Sequence, residues 1–202
     1  RGINIKWIHS DTVNSHNVKK QLKDCKGVII APGFGNRGID GKIIAVKYIR
    51  ENKIPFFGIC LGMQVAVIEF ARNMCGFKKA HSTEMNPATP HPVIDLMENQ
   101  SNVVNKGGTM RLGNYKCHIT KQSKAFLAYQ KVLVDERHRH RYELNNYYKN
   151  KLSKQGMIFS GQNKELDLVE VIELNNHPWF VGVQFHPEYK SSFIHPHPLF
   201  SS

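Results

Sequence analysis

Gly58-Ile59-Cys60-Leu61-Gly62-Met63-Gln64 sets a thiol between small residues at the junction of two apolar segments, and that is where this chain can build a nucleophile. Ile54-Pro55-Phe56-Phe57-Gly58-Ile59 has the length and apolar run of a buried strand, while Leu61, Val65, Ile68 and Cys75 recur at the offsets of one helical face. Cys60 falls on the corner between them. A residue on a sharp strand-to-helix turn is pushed out of the sheet, and glycines at Gly58 and Gly62 relieve the crowding. The helix N-terminus behind it favours thiolate over thiol. A single cysteine ending an apolar strand is equally at home as a small buried hydrophobe, so the corner alone does not decide the matter.

A base is available far downstream. Trp179-Phe180-Val181-Gly182-Val183-Gln184 reads as a strand and leads into Phe185-His186-Pro187-Glu188. A cysteine, a distant histidine and an acid to orient it are the groups that thiol acyl transfer needs. With the backbone extended, His186 and Glu188 project to one side, and Pro187 restricts the chain between them. The loop Pro32-Gly33-Phe34-Gly35-Asn36-Arg37-Gly38 lacks the glycine spacing of a dinucleotide fingerprint and the Gly-Lys-Ser/Thr of a phosphate loop. It is either a plain turn or a place where a backbone NH approaches substrate. In the second case it would stabilise an oxyanion together with the NH of Leu61, the residue after the thiol.

The elements that must hold these groups alternate. Strands are expected over residues 3–8, 27–31 and 54–59, with helices over 41–51 and after Cys60. Such strand-helix units predict an α/β fold with a mostly parallel central sheet flanked by helices, whose crevice lies at the carboxyl ends of the strands. Gly33, Cys60 and His186 would converge there. Later, residues 110–119 read as a strand, 123–130 as a short helix and 168–174 as an alternating strand. The turn Asn175-Asn176-His177-Pro178 then predicts an antiparallel hairpin near the C-terminus. Residues 81–108, rich in Pro, Asn and Thr, read as long loops.

Composition narrows the class. The 202 residues, 41% hydrophobic and 22% charged, suit one domain with its own core. A net charge of +12 raises the question of nucleic acid. The cations are scattered, however, without a basic helix or an aromatic ladder, and they read as solvated surface. The dense run Arg137-His138-Arg139-His140-Arg141 is bounded by Glu136 and Glu143, which makes it a local network rather than a phosphate track. Neither it nor His195-Pro196-His197-Pro198 has metal-ligand spacing. Cys25, Cys60, Cys75 and Cys117 form no Cys-x-x-Cys pair, and the sequence has no apolar run of bilayer length. A soluble, cytoplasmic protein with neither a nucleic-acid nor a membrane partner is the expectation.

Taken together, Pro-Gly-Phe-Gly, Gly-Ile-Cys-Leu-Gly-Met-Gln and Phe-His-Pro-Glu resemble the class I (triad) glutamine amidotransferase domain, of flavodoxin-like fold. Ser82-Thr83-Glu84, Gly107-Gly108-Thr109-Met110-Arg111-Leu112-Gly113, the run from Glu136 to Glu143, and Asn176-His177-Pro178-Trp179-Phe180 narrow the resemblance to the glutaminase domains of the CTP synthase family. It covers nearly the whole chain. The resemblance implies hydrolysis of L-glutamine through a thioester, with ammonia passed to a synthetase domain that aminates UTP using ATP and Mg2+. It implies Cys60 as nucleophile, His186 as base and Glu188 as its orienter, and Gly33, Leu61, Gly62, Met63, Gln64, Glu84 and Arg141 as glutamine contacts. Glu84 would pair with the α-ammonium and Arg141 would fork onto the α-carboxylate. GTP as allosteric activator, a homotetrameric full-length enzyme and no cofactor within this domain follow from the same likeness. Two features depart from it: Pro32 is followed by a single Gly33 where the family has two adjacent glycines, and the stretch between Glu98 and Gly107 is shortened. Residues 1–202 read as one amidotransferase domain, a C-terminal piece whose first strand and helix are missing. Other triad amidotransferases, a γ-glutamyl hydrolase and a catalytically silent amidotransferase-like module are the alternatives.

Overall fold

A computed structural model describes residues 2–96 and 110–202. The first half is built from strand-helix units: α1 (Val18–Leu22), β1 (Val28–Ile30), α2 (Ile39–Glu51), β2 (Phe56–Ile59) and α3 (Leu61–Asn73). There follow β3 (Ala80–Ser82), β4 (His91–Leu96), β5 (Arg111–Ile119), α4 (Lys124–Tyr129), β6 (Leu133–His140), β7 (Tyr142–Leu144), α5 (Lys149–Lys154), β8 (Met157–Asn163), β9 (Leu168–Leu174), β10 (Phe180–Val183) and α6 (Pro198–Ser201). Among the described residues one sheet runs β1-β2-β10-β9-β8-β5-β6, and a second runs β3-β4-β7.

The α/β class, the helices after β1 and β2, and the β9-β10 hairpin are as the sequence leads one to expect. Parallel pairing is confined to β1-β2 and β2-β10; the pairings β10-β9, β9-β8, β8-β5 and β5-β6 are antiparallel. The parallel part is therefore the nucleus around Cys60, and the second half extends it antiparallel: β8, β9 and β10 follow one another, whereas β5 and β6 are joined through α4 and β6 reaches β8 by way of β7 and α5. Antiparallel neighbours need no crossover helix, which is why the helices thin out after α3.

Two local expectations fail. Residues 3–8 form no strand: Ile3, Ile5 and Trp7 alternate but stand 85%, 72% and 86% exposed, with no ladder partner among the described residues. Alternation selects a face, and only a partner strand makes it a β-strand. Within 81–96, instead of loops, β3 and β4 pair in parallel and β4 pairs with β7. The turn chemistry is limited to the stretch around Pro87 and Pro90, whereas Ser82, Val93 and Ile94 are fully buried. Gly107, Gly108 and Thr109, like the shortened stretch, lie outside the described residues.

Helix α3 is buried continuously from Leu61 to Ala71, as expected for a helix apolar all round that packs between sheet and helix layers. Its one acid, Glu69, is fully buried and takes Arg50 from α2 at 2.8, 2.9 and 3.2 Å. The close approach of α3 to the sheet depends on two glycines. A Cβ on Gly62 would lie 2.4 Å from the Ile30 carbonyl oxygen, and one on Gly58 would lie 2.7 Å from the Gly62 carbonyl carbon. Because the obstacle at Gly62 is backbone, Gly62→Ala is expected to cost about 1–3 kcal/mol, seen as a lower urea midpoint at unchanged m-value.

Candidate active site

Cys60 lies between the last residue of β2 and the first of α3, with φ 51° and ψ −101°. Positive φ at a non-glycine residue is strained, and such strain persists only where the surroundings enforce it. Here the enforcement is visible: the Cys60 NH donates to the Val183 carbonyl at 2.7 Å, and its own carbonyl accepts from the Gln64 NH at 3.2 Å. One bond belongs to the sheet and the other to the helix. The chain has to turn within a single residue, which aims the thiol into the pocket lined by Gly33, Phe34, Gln64, Glu84, Met110, His140, Arg141 and Tyr142.

Each wall has a separate origin. Gly33 and Phe34 come from the loop after β1, and Glu84 from the turn after β3, where its Oε1 accepts from the Gly35 NH at 3.2 Å. Arg141 is the single residue between β6 of the large sheet and β7 of the small one. Gln64, on the first turn of α3, donates through Nε2 to the Tyr142 carbonyl at 2.9 Å and to Gln184 Oε1 at 3.3 Å. Gln184 in turn points its Nε2 at Cys60 Sγ, 3.7 Å away. Sequence reasoning passed over Gln184, although a fully buried amide at the end of an apolar strand requires partners.

His186 follows β10. Its NH donates to the Arg137 carbonyl at 2.8 Å, its ring lies parallel to Tyr189 at 4.9 Å between centroids, and Nδ1 meets Glu188 Oε1 at 2.6 Å. With Glu188 engaging Nδ1, the other ring nitrogen, Nε2, is buried without a hydrogen-bond partner among the described residues. The pair is joined differently from the expected extended backbone: Pro187–Lys190 is a short 3-10 helix, and His186 sits at its start with φ −113° and ψ 87°. Proline at the first helical position presets that turn, which brings the i+2 carboxylate back to the ring's Nδ1.

Of the residues singled out from the sequence, Cys60, Gly33, Gln64, Glu84 and Arg141 gather around one pocket, with the His186–Glu188 pair made. Leu61, Gly62 and Met63 are not among its lining; the side chains of Leu61 and Met63 belong to the hydrophobic core, leaving only their backbone at the first turn of α3. The run from Glu136 to Glu143 is the local network its composition implied. Along β6 Glu136, His138 and His140 face inward, and Arg137 and Arg139 face out. Among the described residues no three His, Cys, Asp or Glu side chains come together as metal ligands, and no helix is long and apolar enough to cross a membrane.

The thiolate expectation does not hold in this state. Burial pushes the Cys60 thiol up to about 12; a hydrogen bond from the Leu61 backbone opposes this, and the carboxylates of Glu143, Glu188 and Glu84 add to it. The helix N-terminus is present, but a cysteine residue only 2% exposed loses more from desolvation than one turn of dipole returns. Cys60 rests here as a neutral thiol, and to act as a nucleophile it would have to give up its proton. Alkylation of Cys60 by neutral iodoacetamide, followed by mass spectrometry, should therefore be slow at pH 7 and climb about tenfold per pH unit through pH 10. A plateau below pH 9 would mean a preformed ion pair.

Over residues 1–202 the chain matches the family model for glutamine amidotransferase class-I. It is 57% identical over 198 residues, 98% of the chain, to a protein of Flavobacterium johnsoniae named CTP synthase, of which it covers 37%. A protein of the same name from Clostridium kluyveri is 54% identical over 198 residues, again with 37% of that relative covered. The chain thus spans little more than a third of these relatives. Among solved structures, the glutaminase domain of Trypanosoma brucei CTPS with bound acivicin superposes with a TM-score of 0.91 at 38% identity, covering 98% of this chain and 77% of that one. A glutamine amidotransferase from Thermotoga maritima shares the fold, with a TM-score of 0.55 at 15% identity over 83% of this chain and 58% of that one.

Proposed function

The chain belongs to the class-I glutamine amidotransferase family, and from that premise we propose that it is the glutaminase domain, residues 1–202, of a CTP synthase. It would release ammonia from L-glutamine for an ATP-dependent synthetase domain elsewhere in the protein, which would aminate UTP. The observation that carries this reading is the left-handed corner that aims Cys60 into the pocket, with a His186–Glu188 pair downstream whose Nε2 is unengaged among the described residues.

In the proposed sequence, His186 Nε2 takes the thiol proton as Sγ attacks the side-chain amide carbon. The carbonyl π-electrons move to oxygen, and the backbone NH groups of Leu61 and Gly33 receive the oxyanion. Gly33 is followed by Phe34, so the donor on that side comes from one glycine rather than from an adjacent glycine pair. When the tetrahedral intermediate collapses, the C–N bond breaks, the nitrogen takes the proton from His186, and ammonia leaves a γ-glutamyl thioester. Water then gives a proton to His186 and its oxygen to the acyl carbon, the C–S bond breaks, and the proton returns to sulphur as glutamate departs. Glu188 holds the imidazole tautomer and balances the charge it gains.

Glu84 and Arg141 would grip the α-ammonium and α-carboxylate, and two fixed charges at one end of a short substrate align the amide at the other. Gln64 and Gln184 would supply neutral hydrogen bonds along the side chain. ATP, Mg2+, activation by GTP, a homotetramer and a cytoplasmic setting belong to the same reading of the whole protein.

Two experiments bear on it. An electrophilic glutamine analogue should label Cys60 stoichiometrically and leave Cys25, Cys75 and Cys117 unmodified; labelling one of those instead would remove Cys60 from the mechanism. Arg141→Ala should raise the half-saturating glutamine concentration by the equivalent of about 2–5 kcal/mol, the range for losing one side of a desolvated charge pair. An unchanged value in steady-state kinetics would leave Arg141 a structural role only.

A further inference from the structure

Gln184 touches the thiol, and the steps above give it no part at the sulphur. The ladder puts it there. Val183 is in register with Ile59 across β10 and β2, so the next residues along, Gln184 and Cys60, leave the sheet side by side. The Cys60 NH donates to the Val183 carbonyl at 2.7 Å, and the Gln184 NH donates to the Glu170 carbonyl of β9 at 2.9 Å. Both backbones are therefore fixed before either side chain is placed. Gln184 is fully buried, and an amide cut off from water must find protein partners for its oxygen and its nitrogen alike.

Which end of that amide faces the sulphur follows from the next two bonds. Gln64 Nε2 lies 2.9 Å from the Tyr142 carbonyl oxygen, which can only accept, so the amide nitrogen of Gln64 has to be on that side. The same Nε2 lies 3.3 Å from Gln184, and the atom that meets it is the acceptor Oε1. Turning Gln184 over would set two amide nitrogens against each other with no acceptor between them. Gln184 Nε2 is thereby left to point at Cys60 Sγ, 3.7 Å away, as the donor of an N–H···S bond. The orientation runs from a backbone carbonyl through two amides to the sulphur, and every link is a hydrogen bond.

We propose that Gln184 is a catalytic residue whose Nε2–H is the side-chain donor that stabilises the Cys60 sulphur as it becomes anionic, with Gln64 as the positioning residue that keeps this donor turned toward it. The assignment rests on the reading of Cys60 as nucleophile. On attack the S–H bond breaks, the proton passes to His186, and the electron pair stays on sulphur to form the C–S bond. An N–H already aimed at sulphur gains strength as charge develops there, because a hydrogen bond to an ionised acceptor is about twice as strong as one between neutral groups. It also occupies one side of the sulphur, so the thiol's own proton leaves on another. The surroundings make such a donor necessary. Glu143 from β7, Glu188 from the turn after His186 and Glu84 from the turn after β3 all oppose a negative sulphur, while His140, Arg141 and Tyr142 are the other ionisable groups lining the pocket. The Leu61 backbone counters those carboxylates in the resting site, but the proposed steps commit its NH to the oxyanion. Gln184 comes from the end of a different strand and can stay on sulphur throughout.

The test uses the whole protein and the rate at which Cys60 is alkylated at a fixed pH near 9 by two neutral reagents, iodoacetamide and the bulkier N-phenyl iodoacetamide, read by mass spectrometry. Gln184→Met fills nearly the same space without an N–H. Losing the donor lowers the thiolate fraction, so both reagents should slow by one common factor, at least about fivefold. A packing role would change access and move the two rates by different factors; that result, or rates equal to those of the wild type, would overturn the proposal. Gln64→Met leaves Gln184 in place but free to turn over, and it should slow both reagents by a smaller common factor; unchanged rates would refute its positioning role. Should Gln184→Met fail to fold, Gln184→Asn takes its place. Its amide is one methylene short of the sulphur, so the same common slowing is expected, whereas faster alkylation through the vacated space would refute the donor. Alkylation needs no glutamine, so a Cys60 that alkylates as expected but resists a glutamine analogue would defeat the functional reading and leave the donor standing.

Discussion

The structure depends on one constraint, that the chain must reverse from strand to helix within the single residue Cys60 while both neighbours stay packed. Strand β2 is held on both sides by parallel partners, β1 and β10, so it cannot tilt to ease the turn. Helix α3 is buried along nearly its whole length, so it cannot lift away. The strain at φ 51° is therefore imposed by neighbours whose combined burial far exceeds the 1–3 kcal/mol that such a conformation costs. Gly58 and Gly62 set the distance between sheet and helix, and their missing Cβ atoms are the space the corner occupies. The same burial that enforces the corner keeps the thiol protonated, so geometry and acidity pull in opposite directions at this atom.

Charge is handled on the far side of the pocket. Strand β6 carries Arg137 and Arg139 outward and Glu136, His138 and His140 inward, so a run that is densely basic in sequence is divided by the pleat into a solvated face and a buried one. On the buried face His138 and His140 meet each other at 2.8 Å beside the Arg111–Glu170 pair, while Glu136 meets Tyr129 at 2.8 Å and His197 at 3.0 Å. Isolated charges at such depth would be strongly unfavourable, and rings of opposite charge offset that penalty at the cost of demanding close geometry. Glu136 anchors the segment after His186, so the stretch carrying His186 and Glu188 is tied down at both ends, by Arg137 upstream and by His197 downstream.

The charged side of the pocket is assembled where the two sheets meet. Arg141 is placed by the passage from β6 to β7, Glu84 by the turn after β3, and Gln64 by the helix that starts at the thiol. The small sheet thus holds two charged walls, Glu84 and Arg141, against a thiol that belongs to the large one, and a change in its docking would move both charges relative to Cys60.

How much of this was legible in the sequence depended on the range of the interaction. Gly58, Cys60, Gly62 and the apolar run before them fixed the corner, because crowding at a tight turn is decided by residues within a few positions of one another. Pro187 between His186 and Glu188 fixed their pairing in the same way, although the turn proved to be a 3-10 helix rather than extended chain. The alternating residues 3–8 misled, since a strand exists only with a partner edge, and residues 80–96 hid β3 and β4 because each is too short to outweigh its prolines before it is paired. The acidity of Cys60 was likewise beyond sequence. A helix N-terminus is visible in the residue order, whereas burial by Gln184 and the nearby carboxylates of Glu143, Glu188 and Glu84 is not. Sequence by itself determined which residue turns the corner and which histidine has an acid beside it, because those are local steric and chemical facts. Only the tertiary structure decided the protonation of the thiol and the grouping of Arg111, Glu143, Glu170, His138 and His140, because electrostatic energy depends on distances among groups that are far apart in the chain, as Cys60 and Glu188 are.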